Sequence, residues 1–497
     1  MRDQATSSTA LLGALLGALA LASSSACSDD GSSADELGSE TGDPTTSGDG
    51  DGDPTTTTTG DGDGDPATGD GDGDGDPSTG DGDGDGGWCE DGVVPNLAFE
   101  AAYDEIEHGW VRAERWSIES PAIPEDPFFP DARSEQSDQQ LTFFGSDPTP
   151  GPEQVVIQFG PGWDTNQRTP VVLVHGADDP PDRAWAFPGV AGPYGCGAAE
   201  CPDEGLMQAL AAADIPVFAI TFPHKQGDNY MWAEQIHAAI QVVRELTCAD
   251  EVDLIAWSKG TVAARMYASS LTEDWGTPYQ DDVRKLILIG GPNLGMDYAF
   301  RYGSGPNATV WPPGMLHGPT PHHEQLIGIQ VVDRSEYAIY ETAGGYYYRG
   351  QAQMLARWDE VYDLVYMANN GLGPYATVDT LSTYYGEDMY AGTLARGYGI
   401  QYAIDQSSVI DALVDAGIPA SVETYLLCSE VGGQEDYMVG IPNEISGPSD
   451  GVVFVQSCAA PDGIGTIGGI EVLQGLNHLE LGWAPPARQA VLGWLAE

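Results

Sequence analysis

The stretch that decides the fold is Val252-Asp-Leu-Ile-Ala-Trp-Ser-Lys-Gly260. An apolar run, Val252 to Ile255, leads into a serine with a small residue two places to either side, Ala256 and Gly260. Where a buried strand turns at once into a helix around a serine, large side chains at those flanking places would collide. The serine oxygen is then left pointing outward. Ser258 is therefore the candidate nucleophile of this chain. Ala256 stands where such turns usually carry glycine, so the weight of the pentapeptide depends on its surroundings.

Those surroundings have a regular rhythm. Upstream, Pro170 leads into the apolar run Val171 to Val174, which ends in His175-Gly176. Glu204 to Ala213 reads as a helix and Pro216 to Ile220 as a strand. Met231 to Leu246 is a long amphipathic helix, with Ile236, Ile240 and Val243 at spacings of four and three. Downstream come a helix at Thr261 to Ser270, a strand at Leu286 to Ile289, a helix at Ile404 to Ala416 and strands at Val422 to Leu427 and Ile470 to Leu473. Helix Ala487 to Leu495 closes the chain. Apolar strands alternating with helices predict an α/β fold, a mostly parallel sheet with helices on both faces. Such sheets carry their chemistry in loops beyond the strands' carboxyl ends, where His175, Ser258 and Gly290 fall.

Outside this rhythm, residues 88–170 suggest a helix over Leu97 to Val111 and an edge strand over Glu153 to Phe159. Residues 292–400 are rich in Tyr, Gly, Met and Trp, with a helical stretch near Gln351 to Met367. An insertion so long and aromatic is expected either to pack as a satellite on the sheet edge or to form a cap or lid over an apolar pocket.

The amino-terminal end reads as an export signal over residues 1–27: Arg2, the apolar run Leu11 to Ala22, then small residues up to Cys27. Twelve apolar residues are too few for a permanent transmembrane helix, so none is expected in the mature chain. Cys27 after small residues resembles the lipidation site of bacterial lipoproteins, and plain secretion is the alternative. Residues 28–87 are Gly-Asp repeats broken by Pro and Thr, with too few apolar side chains for a core. They read as a disordered tether ahead of a single domain, 88–497.

The whole chain holds 77 Asp plus Glu against 18 Lys plus Arg, a formal net charge of −59. That excludes nucleic acid as a partner and disfavours anionic membrane surfaces. Besides Cys27, the six cysteines allow three disulfides in an exported protein. Cys196 with Cys201 would close a short loop, Cys428 with Cys458 would staple a late strand to the loop after it, and Cys89 and Cys248 remain by elimination. No cysteine spacing resembles a zinc site, and neither a metal nor a cofactor is called for.

A serine oxygen needs a base, an orienting acid and donors for a developing oxyanion. His478, in Gly475-Leu-Asn-His-Leu-Glu480 directly after the last strand, stands where the base must come if the order is nucleophile, acid, histidine. His175 lies near the same rim, and His322 and His323 lie in the insertion. The acid must fall between Ser258 and His478, and two residues qualify. Asp450 stands in a polar turn before an apolar stretch, and Glu430 follows the strand Val422 to Leu427. The oxyanion donors are expected to be the backbone N–H groups of Lys259 and Ala177.

Four ordered pieces, Val171-Val-Leu-Val-His-Gly-Ala177, Val252 to Gly260, Ser449-Asp-Gly-Val-Val453 and Leu476-Asn-His-Leu-Glu480, resemble secreted bacterial lipases and esterases of the α/β-hydrolase superfamily. The resemblance covers roughly residues 165–300 and 404–497. It implies Ser258, Asp450 and His478 as the catalytic set, and a carboxylic ester hydrolase acting on lipid-like or apolar acyl esters through an acyl-enzyme. The family usually has Gly-His-Ser at the elbow, so Trp257 marks a departure and a candidate substrate-pocket residue. Alternative readings are an esterase or acyltransferase on small esters, and a catalytically inactive surface binding protein on the same fold. Either way the implied location is outside the bacterial cell, secreted or anchored as a lipoprotein.

Overall fold

A computed structural model describes residues 94–497, apart from 105, 121, 130–135, 166, 178, 190–194, 303–318, 328–329, 367–375, 378–381, 387–394 and 432–442. Cys27, Cys89 and the segments 1–27 and 28–87 lie outside the described residues.

Among the described residues, nine strands form one sheet. They are β1 (Leu97–Tyr103), β2 (Arg112–Ile118), β3 (Gln154–Phe159), β4 (Val171–Val174), β5 (Val217–Thr221), β6 (Val252–Trp257), β7 (Val283–Ile289), β13 (Ile418–Glu430) and β14 (Ile464–Gln474). Their order is β1-β2-β3-β5-β4-β6-β7-β13-β14. From β5 to β14 every pairing is parallel, whereas β1, β2 and β3 pair antiparallel with one another and with β5. The central strands are largely apolar because they are covered on both faces: every residue of β4, β5 and β6 is buried, Asp253 and Thr221 among them.

Helices flank the sheet: α1 (Asp138–Phe143), α2 (Leu206–Ala212), α3 (Asn229–Thr247), α4 (Lys259–Ala268), α8 (Ile400–Ser407), α9 (Ile410–Ala416), α10 (Val455–Cys458) and α11 (Pro485–Ala496). The side chain of Asp228 caps α3 by accepting from the Tyr230 N–H. Between β7 and α8 lies the insertion. Its described parts are α5 (Tyr298–Tyr302), β8 (Glu324–Ile327), β9 (Gln330–Asp333), α6 (Arg349–Ala352), β10 (Val365–Tyr366), β11 (Ala376–Thr377), α7 (Ser382–Tyr385) and β12 (Ala395–Arg396). β12, β8 and β9 form a separate small sheet, and β10 pairs with β11.

Four sequence expectations change. None of the described residues in 97–111 is helical; β1 lies there and pairs with β2, with an irregularity between Phe99 and Ala101. The bulge breaks the two-residue alternation by which a strand is recognised. Strand β3 is interior rather than at the edge, between β2 and β5. The helix expected over 351–367 is only the short α6, because the chain then turns to send Trp358 Nε1–H to the Gly295 carbonyl at 3.2 Å and to stack Tyr362 on Phe454. The single helix expected over 404–416 is two, α8 and α9. Ser408 separates them and sends its hydroxyl to the Leu355 carbonyl at 2.7 Å.

Two disulfides join described residues, Cys196–Cys201 and Cys428–Cys458. Cys248 is also disulfide-bonded. Among the described residues, no helix is long and apolar enough to cross a membrane.

Candidate active site

Ser258 occupies the junction between β6 and α4 with φ 55° and ψ −126°. A side chain other than glycine rarely adopts this conformation, and holding it requires over-determined surroundings. Here the surroundings are small residues in close approach. A β-carbon added to Gly260 would meet the His175 carbonyl oxygen at 2.5 Å, and one added to Gly176 would meet Ser258 Cβ at 2.9 Å. Ala256 is fully buried and paired with Val174 and Leu288, so the site of the first small residue lies inside the sheet.

His478 follows β14 and reaches the serine. The Ser258 hydroxyl and His478 Nε2 are 2.8 Å apart, and His478 Nδ1–H donates to Asp450 Oδ2 at 2.7 Å. Asp450 is 1% exposed and His478 5%, which keeps this pair out of bulk water and strengthens its electrostatics. The other Asp450 oxygen accepts from the Val452 and Val453 N–H groups at 2.9 and 2.7 Å. The Asp450 carbonyl accepts from the His478 N–H at 2.8 Å, so backbone and side chain hold the two residues together. The Cys428–Cys458 bridge spans the segment that carries Asp450 and ties it to β13. Glu430 is the last residue of β13, and its carbonyl accepts from the Gly475 N–H.

The loop bearing His478 is anchored on the other disulfide loop. Asn477 donates through Nδ2 to the Gly197 carbonyl at 2.8 Å, and Trp483 Nε1–H donates to the Cys196 carbonyl at 2.9 Å. Asn477 Oδ1 accepts from the N–H groups of Leu479 and Glu480, shaping the turn beside the histidine.

The other singled-out residues fall elsewhere. Trp257 is 2% exposed, with its indole against His478 on one side and Trp185 on another. The Arg183 guanidinium, paired with Asp179, lies 5.7 Å from the Trp257 ring. His175 is buried against Phe222 and Trp232, and its Nδ1 faces the Gly176 carbonyl. Burial pushes its pKa down to about 3. His322 is buried, and His323 packs on Tyr398 with Nδ1 3.1 Å from the Tyr340 hydroxyl. Ala177 sits half-buried on the loop after β4, beyond Gly176.

Sequence reasoning missed Arg183 and the Lys259 side chain. Lys259 is fully buried, with Nζ 3.0 Å from the centre of the Trp232 ring, and burial pulls its pKa well below the ordinary range. A lysine beside the serine could not be told from a surface residue by pattern alone.

A largely parallel sheet, antiparallel at one end, with a strained serine between a central strand and its helix and a histidine after the last strand, decides the architecture. The chain has the α/β-hydrolase fold. The model of the class 2 lipase family matches residues 168–308 of this hydrolase fold, which include Ser258. The chain is similar to several solved structures. A Bacillus licheniformis lipase in its mature form shares 11% identity, over 66% of this chain and 92% of its own, with a TM-score of 0.35. For the esterase Est1E of Butyrivibrio proteoclasticus the values are 9%, 75%, 100% and 0.31. For a thermostable carboxyl esterase of Bacillus coagulans they are 14%, 69%, 93% and 0.33. No curated protein matches the sequence.

Proposed function

We propose that this α/β-hydrolase is a serine hydrolase that cleaves carboxylic esters with lipid-like or apolar acyl groups. The observation that carries the reading is the unbroken relay from Ser258 Oγ through His478 to the buried Asp450 carboxylate. The class 2 lipase match supports the same reading.

In this mechanism His478 Nε2 takes the proton as Ser258 Oγ attacks the ester carbonyl carbon. Asp450 holds the imidazole with Nδ1–H toward itself and stabilises the imidazolium. The oxyanion is received by the backbone N–H groups of Lys259 and Ala177. Their placement is supported by the approach of Gly176 to Ser258, which brings the β4 loop over the nucleophile. Each such donor contributes on the order of 3 kcal/mol to the transition state. The carbon–oxygen bond to the alcohol breaks and the alcohol leaves with the proton from His478. Water, deprotonated by the same histidine, then releases the acid and restores the serine.

The proposal extends to location. An export signal ending near Cys27 and a Gly-Asp tether would present the enzyme outside the cell, anchored or free. Labelling with a fluorophosphonate, read by mass spectrometry at Ser258, tests the chemistry, and a chain-length series of esters tests the substrate. Absence of labelling in an active preparation rejects the triad.

A further inference from the structure

A second set of fully buried charges lies outside the relay. Asp297, Arg301 and Glu444 have no side-chain exposure. Arg301 Nη2 donates to Asp297 Oδ1 at 2.9 Å and also pairs with the Glu444 carboxylate. The Tyr384 hydroxyl donates to the other Asp297 oxygen at 3.0 Å. These groups come from three parts of the chain. Asp297 and Arg301 stand at the start of the insertion, Tyr384 stands on α7 late in it, and Glu444 belongs to the segment that carries Asp450.

Glu444 shapes the turn around Asp450. Its N–H donates to the Gly451 carbonyl at 2.7 Å, and its carbonyl accepts from Ser449 Oγ at 2.7 Å. Ser449 Oγ in turn accepts from the Gly451 N–H at 3.2 Å. Both neighbours of Asp450 are thus fixed to Glu444, and Glu444 is fixed to Arg301. Desolvating three charges is unfavourable, and replacing a buried pair by apolar groups is often no loss in stability. What such a network does supply is a single arrangement of the segments it joins, because a displaced partner leaves a charge buried alone.

We propose that Arg301 is a positioning residue. Its pairing with Glu444 makes the alignment of Asp450 on His478 depend on how the insertion packs, with Tyr384 and Asp297 as the arm that reaches into the insertion. This rests on the serine-hydrolase reading above.

The test uses the full chain and a soluble nitrophenyl ester, with kcat and KM measured separately and thermal unfolding followed in parallel. The far-downfield proton resonance of His478 Nδ1–H reports its bond to Asp450 without turnover. Arg301→Met is expected to lower kcat by roughly tenfold or more with KM within about twofold, as for loss of a transition-state interaction. It should also broaden or erase the resonance well below its melting temperature. Arg301→Lys recovers part of both, and Tyr384→Phe lowers kcat by only a few-fold. A folded Arg301→Met with wild-type kcat, or one with low kcat and an intact resonance, overturns the proposal. Should Arg301→Met not fold, unchanged kcat and resonance in both Tyr384→Phe and Glu444→Gln overturn it. Ser258→Ala separates the two levels: turnover surviving there rejects the hydrolase reading, while the resonance still reports on Arg301.

Discussion

The indole of Trp257 packs against the imidazole of His478, ring centres 5.5 Å apart and planes inclined by 31°. The residue before the proposed nucleophile therefore lies against the proposed base, and its 2% exposure leaves little surface for a substrate. Trp257→Ala is expected to lower kcat about tenfold with little change in KM, because His478 loses lateral support. Steady-state kinetics across ester chain lengths check this. A shifted chain-length preference at full kcat would make Trp257 a pocket wall instead.

Asp450 and Glu430 can be separated by amide substitution. Asp450→Asn is expected to reduce kcat by about 10⁴-fold, as loss of the orienting carboxylate reverses the favoured tautomer. Glu430→Gln should stay within a few-fold of wild type, since Glu430 ends β13 and holds Gly475 through its backbone. Equal losses in the two variants would remove Asp450 from its role.

The strain at Ser258 has its own readout. Ser258→Ala and Ser258→Gly should both abolish turnover. Glycine is free to adopt φ 55°, so the second variant should unfold at the higher temperature, relieving strain of about 1–3 kcal/mol. Gly260→Ala should do the reverse, losing about 1–3 kcal/mol as its new methyl group presses on the His175 carbonyl. Equal melting temperatures for all three would mean the turn is unstrained.

Much of this architecture was legible because buried parallel strands leave apolar runs, continuous at Val171 to Val174 and broken only by Asp253 at Val252 to Ile255. Ser258 and His478, the proposed nucleophile and base, could be picked out for a related reason, since each follows a strand-like run, whereas Asp450 stands in a turn before an apolar stretch and was singled out by the resemblance to secreted lipases. The β1–β2 pair was not legible. Phe99 is 52% exposed and the bulge beside it scrambles the alternation, so the segment mimics a helical spacing. Nor was the Arg301–Glu444 pair legible, because 143 residues separate the partners and neither lies in a recognisable local pattern.

Acid should weaken the fold through His224. Its Nε2 faces the Pro127 carbonyl and its Nδ1 accepts from the Gln226 N–H, so the folded state holds it neutral. Burial, with Lys259 nearby, lowers its pKa to about 3, below the 6.5 of an unfolded histidine. The unfolded chain thus binds the extra proton first. The stability this histidine contributes is complete above about pH 6.5 and is lost as pH falls toward 3. Melting temperatures from pH 7 to 4 should fall less steeply in His224→Gln than in wild type. Parallel slopes would reject the assignment.

The disulfide loop at Cys196–Cys201 supports the loop of the proposed base from outside. Replacing both cysteines with alanine should lower kcat several-fold while Ser258 remains reactive, because Asn477 and Trp483 lose their fixed partners. Wild-type kcat in that variant would show that the loop bears no such load.

Strand β14 pairs with β13 on one side and, among the described residues, with no strand on the other, yet the residue proposed to carry the proton follows it by four positions. An outermost strand opens at lower free energy than the middle of its sheet. Warming this protein should therefore silence it before it melts: Ser258 would still sit in an intact central sheet while its partner histidine had drifted away. Such an enzyme would recover on cooling, its operating ceiling set by the fraying of one ribbon rather than by the strength of its core.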